Sequence, residues 1–361
     1  MTSTAAQPPT QPGPAPGSAT QAQAGLAGYL DAMEADDAPV LGYLVLYSVF
    51  DGRVTRDALE HWFAELGLDR KFVPPPIRAV DAFEKVTGPA GIRVTYPLDA
   101  EPGQARRRRR QDAQGRAATL MIRHVRRDSD QIVRHVVREI RDEAATRLSY
   151  DTRLAECVFG RDSHPTATHG AGALHLTPDR AAIGALPPGE QERVQAMLAD
   201  LQAAYQHHRT YLSSDRLRGV LRTYIEDLNA IRVRPTGGVY FVQRRYAGTL
   251  AALRELVRRM GAGSHLARVP LPDQEEMREM VITAFTTKSR EDLDRLARDI
   301  ATAQRDSGTA PAAIEALHKR FRGLQAAAAE HTQLLNTSLD DTTAALKLVN
   351  AQLASLLGQA S

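Results

Sequence analysis

The chain has 361 residues, enough for two or three modest domains, and 43% of them are apolar, so a sizeable core can form. Its one cysteine, Cys157, excludes an intrachain disulfide and any cysteine-built zinc site. The net charge of +3 hides a segregation: residues 106–141 and 216–268 each carry +8, and the stretches around them are acidic. Two basic blocks on a nearly neutral chain suit a polyanion, or they offset the acidic blocks of the same molecule. Only 5 of the 46 basic side chains are lysine, a bias that goes with a GC-rich genome as readily as with an arginine-specific task.

Residues 1–25 are rich in Pro, Ala, Gln, Thr, Gly and Ser with no charged side chain, which predicts a disordered tail. They lack a basic segment followed by an apolar one, so no signal peptide is expected. The longest apolar run, Val40 to Phe50, is too short to cross a bilayer. A cytoplasmic protein without a membrane partner is the expectation.

Residues 26–90 read as a small helical domain. Pro39 after Asp37 marks one helix start. Thr55 caps a second helix with Leu59, Trp62, Phe63 and Leu66 on one face, and Gly67 closes it. Val80, Phe83 and Val86 give a third. Asp51-Gly52 lacks the alternating ligands of a calcium loop and reads as a turn.

Residues 91–182 read as a β-meander region. "GIRVTYPLDA" alternates as a strand, and Arg106, Arg107, Arg108, Arg109 and Arg110 form a solvated loop, either variable or a phosphate clamp. Ile132, Val136 and Ile140 fit a period of two or of four. The turn Arg127-Asp128-Ser129-Asp130 between Val/Ile runs favours strands over a long helix at 130–147.

Residues 183–272 read as a helix and β-hairpin module resembling a winged helix. Val194, Met197, Leu198, Leu201 and Tyr205 lie at helical spacing, as do Leu217, Leu221, Tyr224, Ile225 and Leu228. The arms "IRVR" and "VYFV" flank Pro235-Thr236-Gly237-Gly238. This turn lacks the Gly-Lys-Ser/Thr of a P-loop and the three spaced glycines of a dinucleotide fingerprint, so a hairpin is expected. As a wing it would present Arg232, Arg234, Arg244 and Arg245 beside Arg216, Arg218 and Arg222, positioned for phosphate contact.

Residues 273–361 read as long helices. Ile314, Leu317, Phe321, Leu324 and Ala328 step by three and four, with one stutter at Leu335–Leu339 before Leu346, Val349, Leu353 and Leu356. A single helix to about Leu357 is predicted, paired with 274–305 folded back or with another copy of the chain. The fold class is therefore α+β and mostly helical: a small helical N-terminal domain, an antiparallel β-meander, a helix–hairpin–helix module and a C-terminal coiled coil or helical hairpin.

Candidate chemistry is sparse. His164, His169 and His175 stand on a Gly/Ala/Thr stretch at spacings that frame no metal, and Cys157 in "AECVF" reads as a buried strand residue. No catalytic residue, metal or cofactor is assigned.

The stretches "VLYSVFDGRVTRDALEHWFAELGLDRKFVPPPIRAVDAF" and "IRVRPTGGVYFVQ" resemble an uncharacterised protein family of high-GC bacteria and their phages, with a GGVYFV hairpin, over residues 40 to 305. The resemblance implies a phage or mobile-element context and transfers no site. The sequence favours a non-enzymatic interaction protein that self-associates through residues 311–357 and contacts DNA or RNA through its arginines. A scaffold binding only proteins is the alternative, and a metal-dependent enzyme at the three histidines is the third reading.

Overall fold

The structure, a computed structural model, describes residues 40–98, 117–141, 148–162, 170–234, 238–305, 310–335 and 340–359. The tail 1–25, the arginines Arg106–Arg110 and the turn residues 235–237 lie outside them. In chain order the elements are β1 (Val40–Ser48), α1 (Arg56–Glu65), a 3-10 turn (Arg70–Phe72), α2 (Ala79–Thr87), β2 (Val94–Pro97), β3 (Ala117–Arg127), β4 (Gln131–Arg141), β5 (Leu148–Arg161) and β6 (Gly172–Pro178). Then follow α3 (Arg180–Gly184), α4 (Pro188–Thr210), α5 (Ser214–Asp227), β7 (Ile231–Arg232), β8 (Tyr240–Gln243), a second 3-10 turn (Arg244–Tyr246), α6 (Ala247–Met260) and β9 (His265–Pro272). The helices α7 (Glu275–Arg305), α8 (Pro311–Leu335) and α9 (Asp340–Gln359) end the chain. The fold is α+β with two antiparallel sheets.

The chain divides into two compact units, each built from separate stretches. One holds the residues up to Phe50, Glu65–Phe72 and everything from Arg218; the other holds Asp51–Ala64 and Val73–Leu217. The boundaries thus fall inside the segments that the sequence groups as 26–90 and 183–272.

The unit from Asp51 to Leu217 is organised by the sheet β2-β3-β4-β5-β6, a meander in which each strand pairs with its sequence neighbour. Residues 131–141, compatible in sequence with helix or strand, are strand. On β4, Ile132, Arg134 and Val136 face the same side as their partners Phe159, Cys157 and Ala155 on β5. Helix α2 covers this face with Ala79, Ala82, Phe83 and Val86, and α4 with Val194, Met197, Leu198, Leu201 and Tyr205. Phe83 and Phe159 meet at 5.3 Å between ring centroids.

Two arginines of β4 turn into this covered face, and each finds a carboxylate on a helix. Arg134 donates to Thr87 Oγ1 at 2.6 Å and to Glu84, and lies 5.1 Å from the Phe83 ring centroid. Arg138 donates to Glu190 Oε1 at 3.0 Å, and Tyr96 Oη donates to Glu190 Oε2 at 2.5 Å. Burial first, then the Glu190 carboxylate, pushes the Tyr96 phenol far above its ordinary value, so it stays a donor. Both side chains of the Arg138–Glu190 pair are about nine-tenths buried, at 12% and 11% exposure, so each charge depends on the other.

The other unit is organised by the sheet β7-β8-β1-β9. Here the structure corrects one part of the helical reading of 26–90, the helix expected to start at Pro39, while the helices expected after Thr55 and over Val80–Val86 are present. Val40–Ser48 is a strand, paired with β9 from Val40↔Pro272 to Ser48↔His265 and with β8 from Gly42↔Gln243 to Val45↔Tyr240. An apolar run rich in Val, Leu and Tyr, flanked by strands on both sides, fits sheet pairing, and this overrides the local start signal at Pro39. Gly42 is required by close approach: a Cβ there would come within 2.3 Å of the Val242 carbonyl oxygen and 2.7 Å of the Phe241 ring.

The hairpin β7–β8 is not a free wing. β8 lies between β7 and β1, and its four side chains are buried. Tyr240 stacks on Tyr47 with ring centroids 6.4 Å apart, and burial together with Tyr240 pushes the Tyr47 phenol up to about 12.

The predicted single C-terminal helix is instead two helices, α8 and α9, packed on each other: Ile314 and Phe321 share a cluster with Val349, Leu353 and Leu356, which one straight helix would hold tens of ångströms apart. The apolar seam is filled within the chain: Ile314, Phe321, Val349, Leu353 and Leu356 pack on Leu293, Leu296 and Ile300 of α7. Ala328 and Leu335 join Val281 and Phe285 of α7 and Leu41, Ile231, Phe241 and Leu271 of the sheet.

His331 is 1% exposed, stacks on Phe285 at 4.6 Å and sits with Nε2 3.3 Å from the Asn229 carbonyl oxygen. Burial, the largest cause, lowers its pKa, aided by the charges of Lys288 and Arg245 and opposed by the Asn229 contact and Glu330.

Two outcomes follow. Because the folded state resists protonating His331 while the unfolded chain accepts a proton near the ordinary value of 6.5, stability is full above that pH and falls as pH drops below it. Thermal unfolding from pH 8 down to 5 will show this loss, and His331→Leu will flatten it. Glu190→Ala will cost about 3 kcal/mol in urea unfolding, whereas Arg138→Met with Glu190→Leu together will recover most of that loss.

Candidate functional site

The most distinctive surface feature is a concavity in the meander unit, and local sequence builds its walls. Three prolines, Pro74 to Pro76, hold an extended lead-in to α2, and Arg78 is the helix cap with φ −77° and ψ 133°. The amide of Val80 donates to the Gly170 carbonyl oxygen at 3.1 Å, which ties the start of α2 to the approach to β6. Gly170 has φ +83°, and a Cβ there would meet Val80 Cγ1 at 2.9 Å and Arg78 Cβ at 3.0 Å. Across the ladder, the Asp162 amide donates to the Ala171 carbonyl oxygen at 3.1 Å. The last turn of α4 brings His208 and Arg209, and the first turn of α5 brings Arg216, with the Ser214 amide held by Asp51 Oδ1 at 2.9 Å.

The resulting groove has a volume of ≈ 940 Å³, and four guanidinium groups line it: Arg78, Arg161, Arg209 and Arg216. A smaller hollow of ≈ 160 Å³ shares Asp81 and Arg216 with it and adds Lys85 and His208. Among the described residues, two carboxylates, Asp81 and Asp162, line the larger groove. Asp81 is engaged by Arg78 through two bonds of 2.7 Å, Nε to Oδ2 and Nη2 to Oδ1. Arg216 donates Nη2 to the Pro75 carbonyl oxygen at 2.7 Å. Burial pushes the Arg216 pKa below the usual guanidinium value; Asp81 opposes that shift and Arg78 adds to it. The Arg161 Nε is buried with no hydrogen-bond partner. Burial, Lys85 and His207 lower the His208 pKa, so the imidazole is neutral at neutral pH. The site is a fixed cationic surface, suited to holding an anion rather than to moving a proton.

Of the twelve arginines that the sequence singles out, Arg216 lines this groove, Arg106–Arg110 lie outside the described residues, and the other six belong to the second unit. Arg218 reaches the Val49 carbonyl oxygen at 3.4 Å, and Arg222 is exposed. Arg232 pairs with Glu226 at 3.1 Å and lies 5.7 Å from the Tyr240 ring centroid. Arg245 bonds Tyr246 Oη at 2.7 Å and pairs with Glu330, while Arg234 and Arg244 are exposed. Sequence reasoning missed Arg78, Arg161 and Arg209. Each is separated in sequence from the others, and only the Pro-Pro-Pro lead-in and the Gly/Ala residues around 160 and 170–173 hint at a shaped surface.

His164 and His169 lie outside the described residues, and His175 is exposed on β6. Among the described residues, no three His, Cys, Asp or Glu side chains stand close enough to hold a metal ion. Cys157 is fully buried, and burial raises its thiol to about 12, so it is inert as a nucleophile. No helix among the described residues is long and apolar enough to cross a membrane.

A family model matches residues 40–361. The chain belongs to DUF6744, a family of unknown function. No curated protein and no solved structure matches it. The DUF6744 match spans both units and the whole groove, and it runs through the helical tail beyond residue 305. It assigns no activity, so the groove of this DUF6744 chain is interpreted from its own chemistry.

Gly170→Ala tests the wall. A side chain at this positive φ, pressed against Val80 and Arg78, will destabilise the protein by at least about 1 kcal/mol in urea unfolding.

Proposed function

We propose that this protein is a non-catalytic binding protein that contacts nucleic acid through the groove of its meander unit, with phosphates seated on Arg78, Arg161, Arg209 and Arg216. One observation carries the reading: four guanidinium groups share a concavity with two carboxylates, one of which is already engaged by Arg78. A phosphate diester supplies the missing negative charge, and arginine forks match its oxygens. The hollow around Arg232 in the second unit fits the same role less well, because its Arg232, Lys288 and Arg295 are matched by Glu226, Glu291 and Asp292.

That internal pairing favours the second reading, a scaffold that binds only proteins. A metal-dependent enzyme draws no support from His175, which is exposed on β6. Self-association through 311–357 is not part of the proposal, since the apolar seam of α8 and α9 packs on α7.

Binding of a fluorescent single-stranded oligonucleotide across a salt series tests the proposal. The log of affinity will fall linearly with the log of salt, with a slope of about −3 if all four arginines contact phosphate. Arg161→Gln with Arg209→Gln will roughly halve that slope, at an unchanged melting temperature. An unchanged slope in the folded double variant would move the contact elsewhere, and no binding at low salt would leave the scaffold reading.

A further inference from the structure

We infer that the groove takes a single unpaired strand rather than a duplex, lays its bases against an apolar wall, and does so without reading their sequence. The inference rests on the proposed phosphate contact and adds the form of the ligand.

Size is the first argument. At ≈ 940 Å³ the groove is at the upper end of concavities that enclose one small ligand, about 300–1,000 Å³. A duplex stacks its bases inside and offers a convex phosphate surface. It can touch exposed Arg78 and Arg209 but cannot sink its backbone to Arg161 and Arg216, which are half-buried in the walls. An unpaired strand is thin and flexible enough to enter.

Composition is the second. The α2 lead-in lines the groove with Pro75, Pro76 and Ile77, and the strand side contributes Gly160, Gly172 and two alanines. The flat apolar face of a nucleobase suits the proline and isoleucine surface, and the short strand side leaves room for it. Sequence readout needs amide or hydroxyl side chains aimed at base edges, such as Asn or Gln to adenine. Among the described residues, the lining has no Asn, Gln, Ser or Thr, and no aromatic ring for strong stacking. Base contact with these described residues is therefore sequence-neutral, and the phosphates carry most of the affinity.

The third argument is Asp81. In the free protein its carboxylate fills the fork of Arg78, the position that a strand phosphate needs. Asp81 thus acts as an internal stand-in for the ligand, and binding must displace it.

The experiment uses the full chain and four probes at one salt concentration: a labelled mixed-sequence DNA strand, the same strand as RNA, the DNA annealed to its complement, and inorganic polyphosphate as competitor. At least one single strand will bind about tenfold more tightly than the duplex. Polyphosphate, compared phosphate for phosphate, will displace the strand poorly. Ile77→Ser will weaken strand binding about threefold with no change in salt slope, and Asp81→Asn will tighten it roughly two- to fivefold. A duplex that binds as well as the strand, or polyphosphate that competes equally, overturns the inference and leaves the phosphate site standing. Failure of every probe to bind at low salt removes both. Binding of only the DNA or only the RNA strand supports the inference and names the sugar. Melting temperatures of the Ile77 and Asp81 variants, matched to the parent, confirm that folded protein was compared.

Discussion

The meander unit depends on two arginines placed where apolar side chains would be expected. Arg134 and Arg138 point from β4 into the face that α2 and α4 cover, and neither charge could be buried there alone. Each therefore fixes a helix. Glu84 holds α2 by its middle, which sets where the proline lead-in and Arg78 must lie. Glu190, in the first turn of α4, holds that helix by its N-terminal end. From there a straight helix carries Arg209 about 28 Å away at 1.5 Å per residue. Apolar contacts along the way would tolerate small rotations, whereas the ion pairs would not. The groove inherits its geometry from these two anchors.

The second unit is governed by a different constraint. Its central strand β1 has neighbours on both edges, so it must be apolar, thin at Gly42 and free of charge along its length. The helices α7 to α9 then cover the sheet and one another, and His331 is a polar group caught between them, kept neutral by its burial.

Helical periodicity was the most legible part of the sequence. Val194 to Tyr205 on α4 and Leu217 to Leu228 along α5 lie where their spacing puts them. The strand character of 131–141 was harder to see, because Arg134 and Arg138 interrupt the apolar alternation at the positions that face the core. β1 was misread because its partners lie some 200 residues away, while the false helix signal at Asp37 and Pro39 is adjacent. The stutter at Leu335–Leu339 marked an irregularity, but a stutter alone does not distinguish a bent helix from a broken one. The candidate site was the least legible. Arginine density points to 106–110 and to 216–245, yet what builds the groove is the convergence of several guanidinium groups in space. Arg232 is dense in sequence and paired in space, whereas Arg161 and Arg209 are solitary in sequence and converge in space.

The interleaving of the two units also bears on how the chain is made. β1 leaves the ribosome first among the described elements, but its partners β8 and β9 follow about 200 residues later, a wait of roughly 10–40 s at ordinary rates of synthesis. Throughout that interval a nascent apolar strand has both edges open, and the meander, whose strands pair in order of appearance, can close before it. The N-terminal strand is thus among the last elements to find its place. It is the segment for which a chaperone waiting at the exit tunnel would matter most.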